Sequence, residues 1–412
     1  MPGRITANPV RDRTPVTTRR QLLFAAAGGW LLGGARAGAA GRSGPDGAGE
    51  PLEALTGKRP LIRRAWRPPN YETPLADLVP ELTRNDAFFV RYHLAVIPEI
   101  DADTWRLKVS GSAAQRPLTL TLHDLKHGFK RAKLTAVNQC SGYRRGLFSP
   151  RVPGVQWGNG AIGNAEWSGV RLREVLERAG VAADAVEVVF NGADAPVLAA
   201  TPDFLKSLPI DKALDENTLI ATEMNGHPLP HWNGAPARLI VPGWTGTYWM
   251  KNLTEVRIEN QPFDGFWMQG AYRIPTGMFP GYRFRSQENA QTTPITEMLV
   301  NSLITSHVTG ARLRRGAHVE LAGKAWDAGA GIVAVEVSAD GRRSWQTATL
   351  GRDLGRFAWR EFRFRIDTSQ SGSVQLAVRA RSRDGATQPD KLTFNPGGYH
   401  GNIVQTVDLE VG

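Results

Sequence analysis

The 412-residue sequence contains a single cysteine, Cys140. One thiol excludes a disulfide scaffold, a cysteine-rich zinc site, an iron–sulfur cluster held by cysteines alone and the covalent attachment of a c-type haem. The chain must therefore depend on a hydrophobic core, and its composition, 41% hydrophobic and 22% charged, is that of an ordinary globular protein. At roughly 100 to 200 residues per domain, it should hold two or three domains.

The first forty residues have the three parts of an export signal. Arg19 and Arg20 precede an apolar run that reaches Leu32, and small residues follow it. The run is shorter than the ~20 apolar residues that a membrane-spanning helix needs, which disfavours a membrane anchor. The paired arginines predict a twin-arginine signal that is cleaved after Ala37 or Ala40 and that delivers a folded protein to the periplasm. A general export signal is the alternative.

The formal charge of +11 is divided unevenly along the chain. Six arginines and one aspartate fall within residues 1–40, which therefore carry +5 and leave +6 for the rest. A net charge of that size is ordinary surface charge that can steer small anions, and together with the export signal it argues against nucleic-acid binding.

Residues 41–84 are predicted to be an N-terminal extension that acts as a tether, followed by a domain over residues 85–305. Within that domain, residues 104–110 alternate with the period of a strand, whereas residues 118–126 and 170–179 have helical spacing. The repeated strand–helix–strand cadence of a doubly wound sheet is missing. This range therefore predicts an α+β domain.

The last domain, over residues 306–412, differs in kind. Four successive runs alternate with period two, and turn sequences such as Asp340-Gly341 and Asp384-Gly385 separate some of them. The four runs cover residues 318–326, 332–339, 359–366 and 372–381. About 100 residues with this pattern are typical of an all-β sandwich, here an immunoglobulin-like one without a disulfide.

Residues 87–94 form a strand-like segment in which period two places Phe89, Arg91 and His93 on one face. Burying a guanidinium and an imidazole among apolar side chains is costly unless anionic or hydrogen-bonding partners meet them. The segment therefore indicates contact with an anion or a cofactor. The alternative is an edge strand whose polar face is solvated.

Cys140 is followed closely by Arg144 and Arg145, and nearby cations favour a thiolate. Three roles are open for it: a nucleophile, a soft metal ligand or a buried structural residue. No local signature of a cysteine hydrolase surrounds it. Since a transition metal usually takes about three or four ligands, Cys140 as a metal ligand would need an organic cofactor to supply the others.

Three further features are less specific. The glycine-rich segment 158–167 precedes a helical pattern and could cradle a phosphate, although it matches neither the dinucleotide-binding nor the P-loop pattern. Arg238 and Lys251 could hold a phosphate or be ordinary surface cations. Tyr272 could be no more than a buried aromatic residue.

Five segments, taken in order, are more informative than any one of them. They are Phe-Phe-Val-Arg-Tyr-His at 88–93, Cys-Ser-Gly-Tyr-Arg-Arg at 140–145, the long segment that begins Trp-Gly-Asn-Gly at 157–170, Asn-Gly-Ala-Pro-Ala-Arg at 233–238, and Asn-Pro-Gly-Gly-Tyr at 395–399. In this order they resemble the sulfite oxidase family of molybdenum enzymes, and its bacterial periplasmic members in particular. The resemblance covers residues 70–412.

The resemblance implies a role for Cys140 as the protein thiolate on molybdenum, with the dithiolene of molybdopterin supplying the other sulfur ligands. The positions that contact the pterin or its phosphate in the family correspond here to Phe89, Val90, Arg91, Tyr92, His93, Asp194, Asn233, Arg238, Trp249, Met250 and Lys251. Asn233 stands where relatives commonly have a histidine, and His231 is the alternative residue for that contact.

The substrate site that the resemblance implies suits a small oxyanion. Its residues are Arg91, Arg145 and Tyr272, with His93 close by. Guanidinium groups donate bidentate hydrogen bonds to oxyanion oxygens and stay charged at any working pH. The implied activity is that of a sulfite dehydrogenase, which oxidises sulfite to sulfate and passes two electrons singly to a c-type cytochrome.

The resemblance also implies one molybdenum–molybdopterin per chain and no haem in this chain. Residues 41–85 are too short for the haem b domain of animal relatives, and one cysteine cannot attach a c-type haem. The expected electron acceptor is a cytochrome subunit in a heterodimer, favoured over a homodimer, or a soluble cytochrome c. No nucleic-acid partner and no membrane anchor are expected.

Other functions remain open at this point. A periplasmic molybdopterin sulfoxide reductase shares the cysteine ligand and twin-arginine export, but such relatives lack the sandwich domain and act on a neutral sulfoxide. A plant-type nitrate reductase would add haem and flavin domains. A non-enzymatic exported binding protein would use the immunoglobulin-like domain as an adhesion module.

Overall fold

The structure is a computed structural model that describes residues 50–412. The predicted export signal, its cleavage points and residues 41–49 lie outside the described residues. Residues 50–412 are mostly β-structure, and none of the few helices among them is long and apolar enough to cross a membrane. The expected mixture of helices and strands is present over residues 85–305, but strands dominate it.

The first sheet is antiparallel and has four strands. In order across the sheet they are β1 (Leu52–Glu53), β2 (Leu61–Ala65), β3 (Asn70–Glu72) and β4 (Val90–Arg91). A small separate core of Leu61, Tyr71, Val90 and Tyr92 packs on it. Part of the segment predicted as an extension before residue 85 is thus a folded sheet, and its last strand carries Arg91.

A five-stranded sheet forms one half of the centre of the protein. Its strands are β5 (Arg106–Ser110), β6 (Leu118–Thr121), β9 (Glu187–Gly192), β10 (Leu205–Pro209) and β14 (Leu253–Glu259). They lie in the order β10-β9-β14-β5-β6, and only β14 and β5 are parallel. The strand predicted over residues 104–110 is confirmed as β5.

The other central sheet is built on one long antiparallel pair. Its strands are β7 (Arg131–Gln139), β8 (Ile162–Arg171), β11 (Leu219–Met224), β12 (His227–Pro228) and β13 (Arg238–Ile240). Gln139 at the end of β7 pairs with Ile162 at the start of β8. This register brings Cys140, which follows β7, beside residues 158–161, the part of the glycine-rich segment that precedes β8.

Short helices lie among these strands. They are α1 (Leu122–His127), α2 (Leu172–Ala179), α3 (Ile210–Ala213) and α4 (Phe266–Gln269). The helices predicted over residues 118–126 and 170–179 are only partly right, because each range begins as a strand. Residues 118–121 pair with β5, and the ladder of β8 extends to Arg171 through its pairing with Leu219. Each helix starts where its ladder ends.

The C-terminal domain consists of two sheets that share one core. Its strands, with the hairpin β15 and β16 that precedes them, are β15 (Arg273–Pro275), β16 (Thr292–Pro294), β17 (Asn301–Ile304), β18 (Arg312–Leu313), β19 (Val319–Trp326), β20 (Ile332–Ser338), β21 (Gln346–Thr347), β22 (Thr349–Leu350), β23 (Arg360–Ile366), β24 (Gly372–Ser382) and β25 (Gln405–Val411). The sheets have the orders β17-β19-β23-β22 and β18-β25-β24-β20-β21. Leu321 and Phe362 from one sheet pack with Val335 and Leu409 from the other.

The four alternating runs predicted in this domain are confirmed as β19, β20, β23 and β24. The pattern predicted them because one face of each sheet lies on the shared core while the other is solvated. The likeness of this domain to an immunoglobulin fold stays a prediction.

A buried arginine joins the loop after β7 to the C-terminal domain. The guanidinium of Arg144 donates to the side chain of Asn301 at 3.2 Å, to the carbonyl of Ser302 at 3.2 Å and to the carbonyl of Ile403 at 3.1 Å. Its Nε donates to the side chain of Asn159 at 2.6 Å. Arg144 is only 1% exposed, so amide and carbonyl oxygens, rather than solvent, stabilise its charge.

Replacing this arginine by an apolar residue of similar length should destabilise the fold. We expect Arg144→Met to lower the free energy of unfolding by about 3 kcal/mol or more, because several buried acceptors lose their donor at once. Denaturant unfolding of the loaded protein measures the loss. The matched control is Arg365→Met, since Arg365 is an exposed arginine on β23. A loss no larger than the control's would contradict the role given to Arg144.

Candidate active site

A cavity lies beside Cys140. Its walls come from β4 and the residues after it, from the end of β7, and from the loops that follow β9 and β13. Most of the residues predicted from the sequence line it, namely Phe89, Arg91, Tyr92, His93, Cys140, Asp194, Asn233, Arg238, Trp249, Met250, Lys251 and Tyr272. The fold thus gathers residues that are up to 183 positions apart in the chain around one space.

Three of the residues considered from the sequence lie elsewhere. The side chain of Val90 points to the opposite face of its strand and packs in the small core on the N-terminal sheet. His231 is exposed and lines a separate groove, so Asn233, not His231, faces the cavity. Arg145 lines an adjoining outer cavity.

Cys140 is 7% exposed, and its thiol is free. Its main-chain N–H donates to the carbonyl of Ala161 at 3.0 Å, which fixes the cysteine against the segment before β8. Within residues 50–412 no group of three or more histidine, cysteine or carboxylate side chains is arranged to hold a metal ion. A metal bound at this thiol would have to bring most of its ligands with it.

Two buried cations face the cavity with unsatisfied donors. The Nζ of Lys251 and the Nε of Arg238 are buried, and neither has a hydrogen-bond partner among residues 50–412. The Lys251 ammonium lies over the ring of Tyr92. Burial, together with the nearby Arg238, lowers the pKa of Lys251 well below its ordinary range, although Asp194 opposes this; burial also lowers the pKa of Arg238 to about 9. Buried cations that form no ion pair with a carboxylate of the described chain are costly, so this arrangement calls for an anionic ligand.

Uncharged polar atoms in the cavity are unsatisfied as well. Both side-chain amide atoms of Asn138 and the hydroxyl of Thr247 are buried, and none of these atoms has a hydrogen-bond partner in the part of the chain that the structure describes. Both residues line the cavity. Because buried polar groups are almost always hydrogen-bonded in native proteins, these orphaned atoms indicate a polar ligand that offers both donors and acceptors.

Asn233 is oriented by a lysine from the N-terminal part of the structure. Lys58 Nζ donates to Asn233 Oδ1 at 2.5 Å and to two main-chain carbonyls. On its other side, Asn233 Nδ2 donates to the carbonyl of Phe89 at 3.2 Å. Burial lowers the pKa of Lys58 to about 7. The amide of Asn233 therefore braces the cavity wall, and Lys58 is a supporting residue that the sequence did not single out.

The glycine-rich segment does not cradle a ligand. The main-chain N–H groups of Gly158 and Gly160 donate to the carboxylate of Glu72, which is 1% exposed. A Cβ on Gly160 would lie 2.1 Å from the carbonyl oxygen of Thr73, so glycine is needed for the close approach of two chain segments. The phosphate-binding interpretation of this segment is wrong, because a carboxylate of the chain itself occupies these amides.

Three of the predicted substrate-site residues meet at the mouth of the cavity. The hydroxyl of Tyr272 is hydrogen-bonded to His93 Nε2 and accepts from Arg91 Nη2 at 3.3 Å. Burial and the neighbouring cations, Arg91 first among them, lower the pKa of His93 well below its ordinary range. The imidazole is therefore neutral at working pH, so the tyrosine hydroxyl can donate to it while accepting from the arginine.

The outer cavity continues from this mouth. It shares Arg91, His93 and Tyr272 with the first cavity and is also lined by Arg145, Arg67 and Arg151. Arg145 Nε donates to the carbonyl of Gly397 at 2.9 Å, and its Nη1 donates to the carbonyl of Val155 at 3.3 Å. Within the described part of the chain none of these arginines forms an ion pair with a carboxylate. The approach to the inner cavity is therefore positively charged.

Several residues of the site were missed from the sequence. Phe204 stacks on His93 with ring centroids 3.5 Å apart, and Lys206 Nζ lies 5.1 Å from the centroid of the Tyr272 ring. Burial lowers the pKa of Lys206 well below its ordinary range. Tyr399 stacks on Tyr272 with centroids 5.6 Å apart. The only sequence signal for these residues was the Asn-Pro-Gly-Gly-Tyr segment that contains Tyr399, and no role had been given to it.

Comparison with known proteins gives this site a context. The model of the oxidoreductase molybdopterin binding domain matches residues 93–267, and that of the Mo-co oxidoreductase dimerisation domain matches residues 292–411. The sulfite oxidase of Gallus gallus is 32% identical over 362 residues, which cover 84% of this chain and 77% of that protein. The chain belongs to the sulfite oxidase family.

Two further comparisons, one with a sequence and one with a solved structure, extend this result. The mitochondrial sulfite oxidase of Homo sapiens is 34% identical over 351 residues, which cover 81% of this chain but only 63% of the length of that relative. The crystal structure of the sulfane dehydrogenase SoxCD from Paracoccus pantotrophus superimposes with a TM-score of 0.70 over 96% of this chain and 99% of that chain, at 24% identity. The described residues therefore have the fold of the family.

The family match indicates a molybdenum–molybdopterin cofactor, and the residues of the cavity fit one. Cys140 offers a single thiol for a metal whose other ligands come with the cofactor. Lys251 and Arg238 are the cations that an anionic phosphate would neutralise. Asn138 and Thr247 are placed for hydrogen bonds with a polar heterocycle.

Removing one of the two buried cations should have opposite effects on cofactor content and on the stability of the empty protein. We expect Lys251→Met to lower molybdopterin and molybdenum content at least tenfold, since the phosphate loses a counter-charge. The cofactor-free variant should melt above the cofactor-free wild type, because a buried amino group without a hydrogen-bond partner among the described residues has been removed.

Metal analysis, pterin fluorescence and thermal melting measure these effects. Lys133→Met is the control, since the Lys133 side chain is 69% exposed. Unchanged cofactor content, or a lower melting temperature of the empty variant, would count against the assigned contact.

Proposed function

We propose that this protein oxidises sulfite to sulfate with a molybdenum–molybdopterin cofactor and passes the electrons to a separate c-type cytochrome. The observation that carries the proposal is the meeting of Arg91, Tyr272 and neutral His93 at the mouth of the cavity that contains Cys140. The names of its relatives, sulfite oxidases among them, support the choice of substrate. The overall reaction consumes one sulfite and one water and yields sulfate, two protons and two electrons.

The arginines bind the substrate in this proposal. Arg91 Nη2 is directed at the Tyr272 hydroxyl, and Arg145 reaches the same outer cavity from the loop after β7. Two guanidinium groups without carboxylate partners would hold the oxygens of a small dianion and leave its sulfur lone pair free to face the inner cavity. When bound, the cofactor supplies oxygen-atom transfer and accepts the two electrons.

Tyr272 and His93 handle protons at the mouth. The hydroxyl of Tyr272 donates to the neutral imidazole of His93 and can in turn accept from Arg91 or from the water that the reaction consumes. Because the reaction releases protons, an imidazole that is neutral at working pH can accept one and pass it to the outer cavity that it also lines. Phe204 covers the imidazole ring and restricts access of water to it.

The electron acceptor is proposed from the chemistry of the sequence. With one cysteine, this chain cannot attach a c-type haem covalently, so the electrons must leave to another redox group. A cytochrome subunit in a heterodimer or a soluble cytochrome c is the proposed acceptor. The paired arginines Arg19 and Arg20 before an apolar run support twin-arginine export to the periplasm, where such cytochromes occur.

Two sheets with a shared core support an immunoglobulin-like C-terminal domain.

The direct test is sulfite-dependent reduction of cytochrome c by the purified, molybdenum-loaded protein. Ferricyanide replaces the cytochrome in a parallel assay, so that a wrong acceptor is told apart from a wrong substrate. Nitrate and a methyl sulfoxide with a reduced viologen dye test the two reductase alternatives. A loaded protein that oxidises no sulfite with either acceptor would overturn the proposal.

Cys140→Ser should abolish turnover, because an alcohol at this position is a poor ligand where a thiolate is required. We expect sulfite oxidation to fall at least a hundredfold while circular dichroism and melting temperature stay close to those of the wild type. The visible absorption that arises from thiolate-to-metal charge transfer should also change. Activity near that of the wild type would remove the ligand role of Cys140.

Arg91→Gln should weaken sulfite binding far more than it lowers pterin content. A hydrogen bond to a charged group is worth about 1.5–3 kcal/mol, so KM should rise by about 10- to 100-fold. Steady-state kinetics and pterin fluorescence on the same preparation measure the two effects. Arg84→Gln is the control, since the Arg84 side chain is 65% exposed and pairs with Asp86 away from the cavity. An unchanged KM would contradict the anion-binding role of Arg91.

A further inference from the structure

A loop of the C-terminal domain, residues 395–399, reaches the mouth of the active-site cavity. The carbonyl of Gly397 accepts from Arg145 Nε at 2.9 Å, and both Gly397 and Tyr399 line the outer cavity. Arg145 itself belongs to the loop after β7. The predicted substrate-binding arginine is therefore held by a part of the chain more than two hundred residues away.

Hydrogen bonds and close packing within residues 395–399 fix the position of Tyr399. The side chain of Asn395 is fully buried, accepts from the N–H of Tyr399 at 2.9 Å and donates to the carbonyl of Tyr399 at 2.8 Å. Gly398 has a φ of +58°, and a Cβ there would lie 2.4 Å from Val152. A Cβ on Gly397 would lie 2.2 Å from the ring of Tyr399. The two glycines and the asparagine clamp thus allow a close packing that other residues would prevent.

Tyr399 contacts two residues of the predicted substrate site at once. Its ring is stacked on the ring of Tyr272, with centroids 5.6 Å apart and planes inclined by 22°. The guanidinium of Arg145 lies over the ring of Tyr399, 5.2 Å from its centroid. Tyr399 is 8% exposed, so these contacts are shielded from water.

An aromatic ring suits this position for a physical reason. A carboxylate beside Arg145 would fix the guanidinium equally well but would neutralise its charge and compete with an anionic substrate. A ring face attracts the cation and leaves its N–H donors free for hydrogen bonds with other groups. The Gly397 and Val155 carbonyls engage Nε and Nη1, and Nη2 of Arg145 has no hydrogen-bond partner among the described residues. Arg145 is thus held in position while donors remain for a ligand.

We propose that Tyr399 is a positioning residue of the substrate site, which sets the spacing between Arg145 and Tyr272 so that both can contact one bound oxyanion. Tyr399 acts through these two residues and needs no contact with the substrate. The C-terminal domain, through this loop, then helps to determine affinity for the anion. The proposal rests on the proposed function, since it takes a small oxyanion as the ligand of this site.

The decisive experiment compares two variants of the loaded protein. Tyr399→Leu removes the ring, whereas Tyr399→Phe keeps it and removes only the hydroxyl. We expect the leucine variant to raise KM for sulfite at least tenfold with kcat changed less than threefold. The phenylalanine variant should keep KM within threefold of the wild type, because the stacking and the contact with Arg145 survive. A role in general stability alone would not produce this split between KM and kcat.

A second measurement does not depend on turnover. At constant ionic strength, added sulfate should raise the melting temperature of the loaded wild type and of Tyr399→Phe, and should raise that of Tyr399→Leu much less. The control is Phe394→Leu, because Phe394 is 46% exposed, precedes the same loop and lines neither cavity. The control should behave as the wild type in both measurements.

The possible outcomes separate this proposal from the proposed function. If the wild type does not oxidise sulfite but sulfate protection still depends on the ring, the function is wrong and the positioning role stands. If the wild type oxidises sulfite and Tyr399→Leu keeps the KM and the sulfate protection of the wild type, the positioning role is overturned and the function stands. Equal losses in the phenylalanine and leucine variants would also overturn it, because the ring would then not be the part that matters.

Discussion

Buried positive charge without an ion-paired carboxylate among the described residues is the constraint on which the rest of this structure depends. Lys251 and Arg238 lie in the inner cavity with donors that no group of the described chain satisfies, and their burial costs free energy that a bound anion would offset. The same shortage recurs at the mouth, where Arg91 and Arg145 meet carbonyl, amide and phenol oxygens but no carboxylate of residues 50–412. The inner cavity is thus suited to the phosphate of a permanently bound cofactor, and the mouth is suited to an anionic substrate that binds and dissociates.

Two consecutive arginines, Arg144 and Arg145, connect the loop after β7 to the C-terminal domain in different ways. Arg144 is fully enclosed and donates to that domain at three points, so it fixes the position of the loop that follows Cys140. Arg145 reaches the same domain through one carbonyl and one ring face and keeps donors free. Because the hydrogen bonds of Arg144 fix the loop, the contacts of Arg145 with Gly397 and Tyr399 can determine where the Arg145 guanidinium points. The C-terminal domain is in this way part of the site and not only attached to it.

The sequence allowed much of this site to be predicted, and the reasons for its failures are physical. Cys140 and the three-residue set at 89–93 could be found because a lone thiol and an unpaired cation on a strand are unusual for their surroundings. Helices were placed too early at residues 118 and 170, because each buried strand runs directly into an amphipathic helix. The capping box of Thr121 and Asp124 marks the start of α1 and was overlooked, whereas α2 begins without a side-chain cap. Lys206 and Tyr399 could not be found, since their importance comes from packing across long separations in the chain.

The electrostatic effect of an arginine around the outer cavity depends on whether it forms an ion pair with a carboxylate. Arg64 lines it but pairs with Glu50 and with the buried Glu72. Glu72 in turn accepts from the glycine-rich segment, so this carboxylate joins the N-terminal sheet to the centre of the protein. Arg67 and Arg151 line the same space, and neither pairs with a carboxylate in the described residues. A count of arginines would treat all three alike. The field that an approaching anion meets comes only from the unpaired ones, because a paired guanidinium is largely cancelled within a few ångströms. The positive approach to the site therefore depends as much on where the chain places its glutamates as on where it places its arginines.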